Sequence, residues 1–332
     1  MHLGRRVAVI LAGAVAKGAF EAGALHVLAQ KLAESDGRIV RIVAASSGAL
    51  NGTLLASAVH SGDLPKAAKE LASLWVREGG LFHAFHLSVG DVFARKGISD
   101  QQNLLRLLSS HVKPRPSGEE IDLRIVVASL RGVAGKIGDA DATTYEKVLR
   151  FTKGHFETQE GLDEVFRAAA ASSSFPGAFA PFDLGPQVGL CIDGGAVNNT
   201  PVKHALENAA VDSIVVIGTT VENVQPGAFD GLSGMNLAGH VADILINERL
   251  YGDLREAESV NTALRNLHEL ELAPEALARV KAALGWSNRR HVSIVRVRPL
   301  TPLAGSSFSG FFSPSLREQY VALGEERARE VL

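Results

Sequence analysis

Residues Arg6–Leu11, "RVAVIL", are apolar at every position after the arginine. A strand with one wet face alternates polar and apolar residues. A strand apolar throughout must be covered on both faces, as strands in a parallel sheet are. Behind it Gly13 and Gly18 mark a loop, and "AFEAGALHVLAQKLAES" continues with the periodicity of an amphipathic helix. The same alternation recurs along the chain. Strands are expected at Arg6–Leu11, Ile39–Ala45, Leu123–Ser129, Gly189–Ile192, Ser213–Thr219 and His291–Arg298. Helices are expected at Gly18–Ser35, Ser47–His60, Leu64–Glu78, Gln101–His111, Gly161–Ser172, Pro201–Ala210 and Leu237–Leu267. Strands separated by helices predict an α/β fold with a central, mostly parallel sheet and right-handed crossovers.

At 332 residues the chain has ample material for a core, and no linker divides it. It reads as a single domain over 1–332, with a motif-bearing core at about 5–220. A helical extension, a final strand and a final helix follow over 221–332. A formal charge of −2 without basic runs gives no electrostatic footprint for nucleic acid. Aromatic residues at 6% offer few stacking platforms for single strands. One cysteine, Cys191, excludes an intramolecular disulfide and any multi-cysteine metal site. That fits a reducing, cytoplasmic setting. The N-terminal "RRVAVILAGAVAKGA" also has the outline of a signal peptide, but the buried-strand reading accounts for it as mature chain. No apolar run reaches the roughly 20 residues that span a bilayer.

The most informative junction is "RIVAASSGALNGTLL", Arg41–Leu55, where a strand meets a helix through two serines. Serine and glycine there could simply punctuate a turn and cap the helix. A nucleophile elbow makes the same pattern: strand, sharp turn, helix, with small residues two before and two after the serine. Ala44-Ala45-Ser46-Ser47-Gly48 fits, departing from G-x-S-x-G only at Ala44. Ser46 would then stand at the carboxyl end of its strand, where open α/β sheets place their sites. The Ser47 amide, at the start of the helix, would donate to an oxyanion.

Three other segments bear on this choice. "ILAGAVAKGAFEAGAL" supplies a loop whose amides could complete an oxyanion hole. "AAAASSSFPGAFAPF", Ala168–Phe182, is a helix end of small residues running into a proline-rich turn. "CIDGGAVNNTPV" puts Asp193 at the end of a short apolar strand, with Gly194 and Gly195 leaving room for close approach. Read alone, D-G-G is an ordinary turn.

Together these residues resemble the patatin-like phospholipase family. Its pattern is a G-G-G-A-[KR]-G loop, a G-x-S-x-G elbow, a small-residue stretch leading into P-x-x-F-x-P, and D-G-[GA] followed by N-x-P. Here the blocks are Gly13-Ala14-Val15-Ala16-Lys17-Gly18, the Ser46 elbow, Pro176 with Phe179 and Pro181, and Asp193-Gly194-Gly195 with Asn199-Thr200-Pro201. The resemblance implies a three-layer α/β/α fold and lipid acyl hydrolysis by a Ser–Asp dyad without histidine. It implies Ser46 as nucleophile and Asp193 as base. Gly13, Ala14 and Val15 would line the oxyanion hole with Ser47, and Lys17 would hold that loop. Gly18, Ala44, Gly48, Gly194 and Gly195 would support the turns.

Two departures matter. Ala44 replaces the first elbow glycine. Ala14 and Val15 replace two loop glycines, and a positive φ at either costs about 1–2 kcal/mol, with β-branched valine the worse. An acyl-binding protein with weakened turnover, or transfer to a non-water acceptor, would use the same residues. A Ser-Asp-His triad can be written with His204, His240 or His291, but the elbow comes after only one strand–helix unit, too early for an α/β-hydrolase. Lys17 precedes Gly18 rather than following it, which excludes a P-loop.

The implied substrate is a lipid ester, with peripheral contact at a membrane surface compatible with it and no cofactor or metal required. His83 and His86, three apart in an apolar loop, are expected to be structural. The irregular stretches Gly79–Gly97 and Pro299–Pro314 read either as lids over an apolar site or as loops packed on the core. The stripe Leu237, Val241, Ile244, Leu245 and Leu254 reads as core-facing, with a membrane-surface face as the alternative.

Overall fold

The computed structural model describes residues 3–80, 86–87, 99–137, 140–198, 201–207, 211–221, 234–287 and 289–332, with 86–87, 136–137 and 234–250 described as backbone only. The chain opens with β1 (Arg6–Leu11), α1 (Gly18–Ala33), β2 (Arg38–Ala44), α2 (Ser47–Ser61) and α3 (Leu64–Glu78). A two-stranded pairing of β3 (His86–Leu87) with β4 (Ser99–Asp100) and the helix α4 (Gln102–His111) follow. Then come β5 (Asp122–Ile137), β6 (Ala140–Thr152), α5 (Lys153–Glu157), α6 (Gln159–Ser172), β7 (Phe182–Asp183) and β8 (Leu190–Ile192). The remainder is α7 (Gly195–Asn198), α8 (Val202–Leu206), β9 (Ser213–Ile217), α9 (Gly234–Glu269), α10 (Pro274–Ala283), β10 (Ser293–Val297), α11 (Ser309–Phe312) and α12 (Pro314–Val331).

One eight-stranded sheet runs β10-β9-β1-β2-β5-β8-β7, with β6 also paired to β5. The strands β10, β9, β1 and β2 and the start of β5 are parallel, whereas β6, β7 and β8 pair antiparallel. The fully apolar β1 lies between β2 and β9, as its two-faced burial requires. Its alternate residues serve two cores. Val7, Val9 and Leu11 pack with Phe20, Leu25 and Leu28 of α1, Leu55 of α2, Val165 of α6 and Tyr320 of α12. Ala8 and Ile10 pack with Val43, Val202 of α8 and Leu254 of α9. Period-two alternation along one strand thus produces helices on both faces: a three-layer α/β/α fold.

The antiparallel part departs from expectation. Leu123–Ser129 is the buried start of a longer strand, β5, which runs on to Ile137 and pairs with β6. β6 has a single buried residue, Phe151, and otherwise half-buried or exposed positions, so no apolar run marks it.

β5 sets the register that builds the site. Its Ile125 pairs with Ala44, the last residue of β2. Where β2 leaves the sheet, β8 comes in antiparallel, with Ile192 opposite Ala128. Only Val126 and Val127 separate the row where one neighbour ends from the row where the other begins. The residues after β2 and after β8 are therefore driven toward each other.

Candidate active site

Ser46 sits where β2 turns into α2, with φ 54° and ψ −137°. A non-glycine residue there is strained by roughly 1–3 kcal/mol, and the surrounding bonds hold it. Ser46 N–H donates to Ser172 Oγ at 2.9 Å, and Ser172 Oγ in turn donates to Val126 O at 2.6 Å. Ser173 Oγ lies 2.9 Å from Ser46 O and from Ala169 O, with one hydrogen to share between them. The helix end "SSS" flagged for its small residues thus grips both backbone faces of the elbow. Serines at the end of a helix usually meet solvent; Ser172 is fully buried because α6 ends against β5.

Asp193 follows β8 and is 3% exposed. Ser46 Oγ donates to Asp193 Oδ2 at 2.6 Å, joining residues 147 apart in sequence. The other oxygen, Oδ1, accepts the Gly195 amide at 2.7 Å. Burial pushes the Asp193 carboxyl up to about 7, against the downward pull of those two hydrogen bonds. The Asp193 and Gly194 amides donate to Ser174 O and Ser172 O, tying this segment to the same helix end. Gly194 lies so close to β5 that a Cβ there would fall 2.0 Å from Val126 O.

The loop after β1 crosses over the serine. A Cβ on Gly13 would lie 2.0 Å from Ser46 Cβ, so only glycine fits. Ala14 keeps a negative φ of −157°, whereas Val15 has φ 54° and bears the left-handed strain. The Ala14 amide donates to Ser47 Oγ at 3.0 Å. In this structure the Ala14 hydrogen, expected among the oxyanion donors, is engaged with the second serine. Val15 and Ser47 both line the cleft beside Ser46. Lys17 is buried, and its amide donates to Ala14 O, closing the short turn.

Ala44, in place of an elbow glycine, is fully buried, and its methyl faces Gly52, where a Cβ would come within 3.0 Å. Gly48 sits in the first turn of α2 against Leu11 O, and Gly18 opens α1 against Trp75 and Ser47. Beneath them Asn51 Nδ2 donates to Gly18 O at 3.0 Å and to Glu21 Oε2 at 2.9 Å, while Trp75 Nε1 donates to Asn51 Oδ1 at 2.7 Å. Burial raises the Glu21 carboxyl well above its usual range, more than the Asn51 bond lowers it. This network, which sequence reasoning missed, ties the start of α1 to α2 and α3.

Above the pair opens a cleft of about 760 Å³, partly exposed to solvent. It is walled by α2, α3 and α4 with Leu50, Leu71, Leu104 and Leu107, and by Phe175 and Phe179 from the proline-rich turn. Phe308 and Phe311, from the Pro299–Pro314 stretch, complete it; Phe308 packs edge-on against Phe175 at 5.6 Å. That stretch is therefore both packed on the core, through Ser307 O accepting the Ala16 amide, and a wall of the cleft. Of Gly79–Gly97, Gly79 lines the cleft, while 81–85 and 88–98 lie outside the described residues, His83 among them. Asn199 and Thr200 also lie outside, as do the side chains of His86, His240 and the Leu237–Leu245 stripe. No histidine lines the cleft among the described residues, and His204 Nε2 is engaged with Glu146 Oε1 at 2.6 Å.

A layered α/β sheet with its polar pair at the carboxyl ends of the strands defines the general class of protein. Within that class the chain belongs to the patatin-like phospholipase family, whose model matches residues 9–206, more than half of the chain. Lipid hydrolysis is the activity of that family at its broadest. Solved structures with some likeness include VipD from Legionella pneumophila, 12% identical with a TM-score of 0.43, over 98% of this chain and 66% of that one. The type III effector protein ExoU is 12% identical with a TM-score of 0.34, over 99% and 53%. ExoU in complex with SpcU, from the type III secretion system of Pseudomonas aeruginosa, is 15% identical with a TM-score of 0.28, over 85% and 60%. The chain thus spans less than two thirds of the length of these proteins. No curated protein sequence matches it. The family assignment rests on the match over 9–206. Among the described residues no helix is long and apolar enough to cross a membrane.

Proposed function

We propose that the chain is a serine acyl hydrolase of lipid esters, with Ser46 as nucleophile and Asp193 as its general base. The observation that carries this reading is the 2.6 Å bond from a strained, cleft-lining Ser46 hydroxyl to a buried aspartate. Asp193 Oδ2 takes the Ser46 proton as Oγ attacks the ester carbonyl carbon. The resulting oxyanion is held by the amides of Val15 and Ser47, assisted by the positive end of α2. Collapse expels the alcohol, which receives the proton from Asp193. Water, deprotonated by Asp193, then releases the fatty acid and regenerates Ser46.

An ordinary aspartate near 4 is a weak base at neutral pH. Burial brings Asp193 to about 7, close to the range in which a general base is both ionised and basic. The second oxygen stays on the Gly195 amide, so the proton moves without the carboxyl turning. The apolar cleft favours an acyl chain over a polar substrate. No step calls for a metal or an organic cofactor. The test is product analysis by mass spectrometry after incubation with mixed glycerophospholipids. Free fatty acid and lysolipid should form with wild type and not with Ser46→Ala. Fatty acid release unchanged in Ser46→Ala overturns the assignment, and fatty acid bound without release favours a lipid-binding role.

A further inference from the structure

The stripe of α2 that starts at the elbow does not end with the catalytic cleft. Ser47, Leu50, Asn51 and Leu54 line that cleft; Leu54, Ser57, Ala58 and Ser61 line a second one of about 800 Å³, also partly open to solvent. These positions recur at three- and four-residue steps, so they form one continuous helix face. α3, running back alongside, repeats the arrangement. Leu71, Leu74, Trp75 and Glu78 face the inner cleft, while Ala67, Glu70, Leu71 and Leu74 face the outer. Three leucines are common to both clefts: Leu54, half-buried, and Leu71 and Leu74, 4% and 5% exposed. A residue shared by two adjoining cavities is the wall between them. Eight residues of helix separate Ser46 from Leu54, about 12 Å along the axis, and the groove beyond runs seven residues further to Ser61.

Resting on the acyl-hydrolase reading above, we propose that Leu54, Leu71 and Leu74 form a partition that ends the acyl-chain site and sets the longest chain accepted. The ester carbonyl sits at Ser46 and the tail runs along the α2–α3 groove toward these leucines. Each methylene buried on the way raises kcat/KM about fourfold. Once the terminal methyl meets the partition, further carbons must stay in water or force the leucines apart, and the gain stops. The outer cleft is the space a longer tail would occupy if the partition were trimmed.

The experiment is a chain-length series of p-nitrophenyl esters, from butanoate upward, read as kcat/KM. Wild type should climb and then break. Leu74→Ala should move the break to longer chains, with at least a tenfold gain, relative to butanoate in the same variant, for the first chain past the wild-type optimum. Leu54→Phe, which fills space instead of emptying it, should move the break the other way. Ser57→Trp plugs the outer cleft: it should leave wild type unchanged at every length and cancel the gain in the Leu74→Ala background. The partition is overturned if Leu54→Phe and Leu74→Ala cleave butanoate with the break unmoved. It is equally overturned if Ser57→Trp alone depresses long chains, because tails would then already pass through. Those results leave Ser46-dependent cleavage standing. Cleavage that is absent for every ester in wild type, or that survives Ser46→Ala, sinks the acyl-hydrolase reading instead.

Discussion

The two halves of the sheet contribute to the site in opposite ways. β10, β9, β1 and β2 are parallel strands, with β1 and β9 at their centre covered on both faces, and the serine leaves that half at a strand end packed against β5 and β1. β6, β7 and β8 are antiparallel, short or half-exposed, and the aspartate comes from that half. The parallel half supplies a rigid strand end that tolerates a residue at φ 54°. The antiparallel half supplies a strand running the other way, so that its own end meets the elbow head-on. A wholly parallel neighbour to β5 would have pointed its end in the same direction as β2. The mixed topology is what lets two residues contact each other directly, with no third group between them.

Removing either member of the pair should have the largest effect. Asp193→Asn should lower kcat for ester hydrolysis by about 10³-fold with little change in KM, since the amide keeps the shape and loses the base. The same substitution should stabilise the fold. Burial raises the folded pKa from 3.8 to about 7, so ionising Asp193 costs stability as pH rises through that window. The stabilisation should be absent below about pH 4 and reach on the order of a few kcal/mol above pH 7. Denaturation midpoints of wild type and variant at pH 4 and pH 8 measure it; equal differences at both would mean that Asp193 is not strained by its charge.

A smaller effect is expected at the seam between the halves. Ser172→Ala deprives a buried amide, that of Ser46, and a buried carbonyl, that of Val126, of their shared partner. Each orphaned group costs about 1–3 kcal/mol. Stability should fall by that order and kcat by about tenfold or more, as the elbow loses its fixed geometry. A variant as stable and as active as wild type would show that the elbow is held from the parallel side alone.

The smallest effects separate two adjacent loop residues. Val15→Gly removes a β-branched side chain from positive φ and should stabilise by about 1 kcal/mol. Ala14→Gly, at φ −157°, only adds unfolded-state freedom and should destabilise by about 0.5–1 kcal/mol. Chemical denaturation of both resolves the signs, and shifts in the same direction would contradict this loop path.

Legibility from sequence followed the same divide. β1 and the first turn of α2 were readable because burial on both faces leaves an uninterrupted apolar run, and because an elbow demands small residues at fixed offsets. The register that brings Asp193 to Ser46 could not be read from β8 itself, which is only three residues long. It is set by β5, whose second half loses its apolar run where it becomes a two-stranded ribbon with β6. Asn51 and Glu21 were invisible as contributors, and Ser172 and Ser173, though in a segment singled out for its small residues, gave no sign of their hydrogen bonds, for a related reason. A polar residue in a helix looks solvated until the packing of its neighbours is known. The sequence showed that a positive φ at Ala14 or Val15 would be costly but not which of the two carries it, and the Ala14 bond to Ser47 depends on where the loop crosses the elbow.

The rate at which a fluorophosphonate probe labels Ser46, followed by intact mass from pH 5 to 9, bears most directly on the pairing of these two residues. Wild-type labelling should rise with pH about a midpoint near 7, and Asp193→Asn should label slowly and without that rise. Labelling of wild type at one rate across the range, or of Asp193→Asn at the wild-type rate, would mean that Ser46 is activated by some other group.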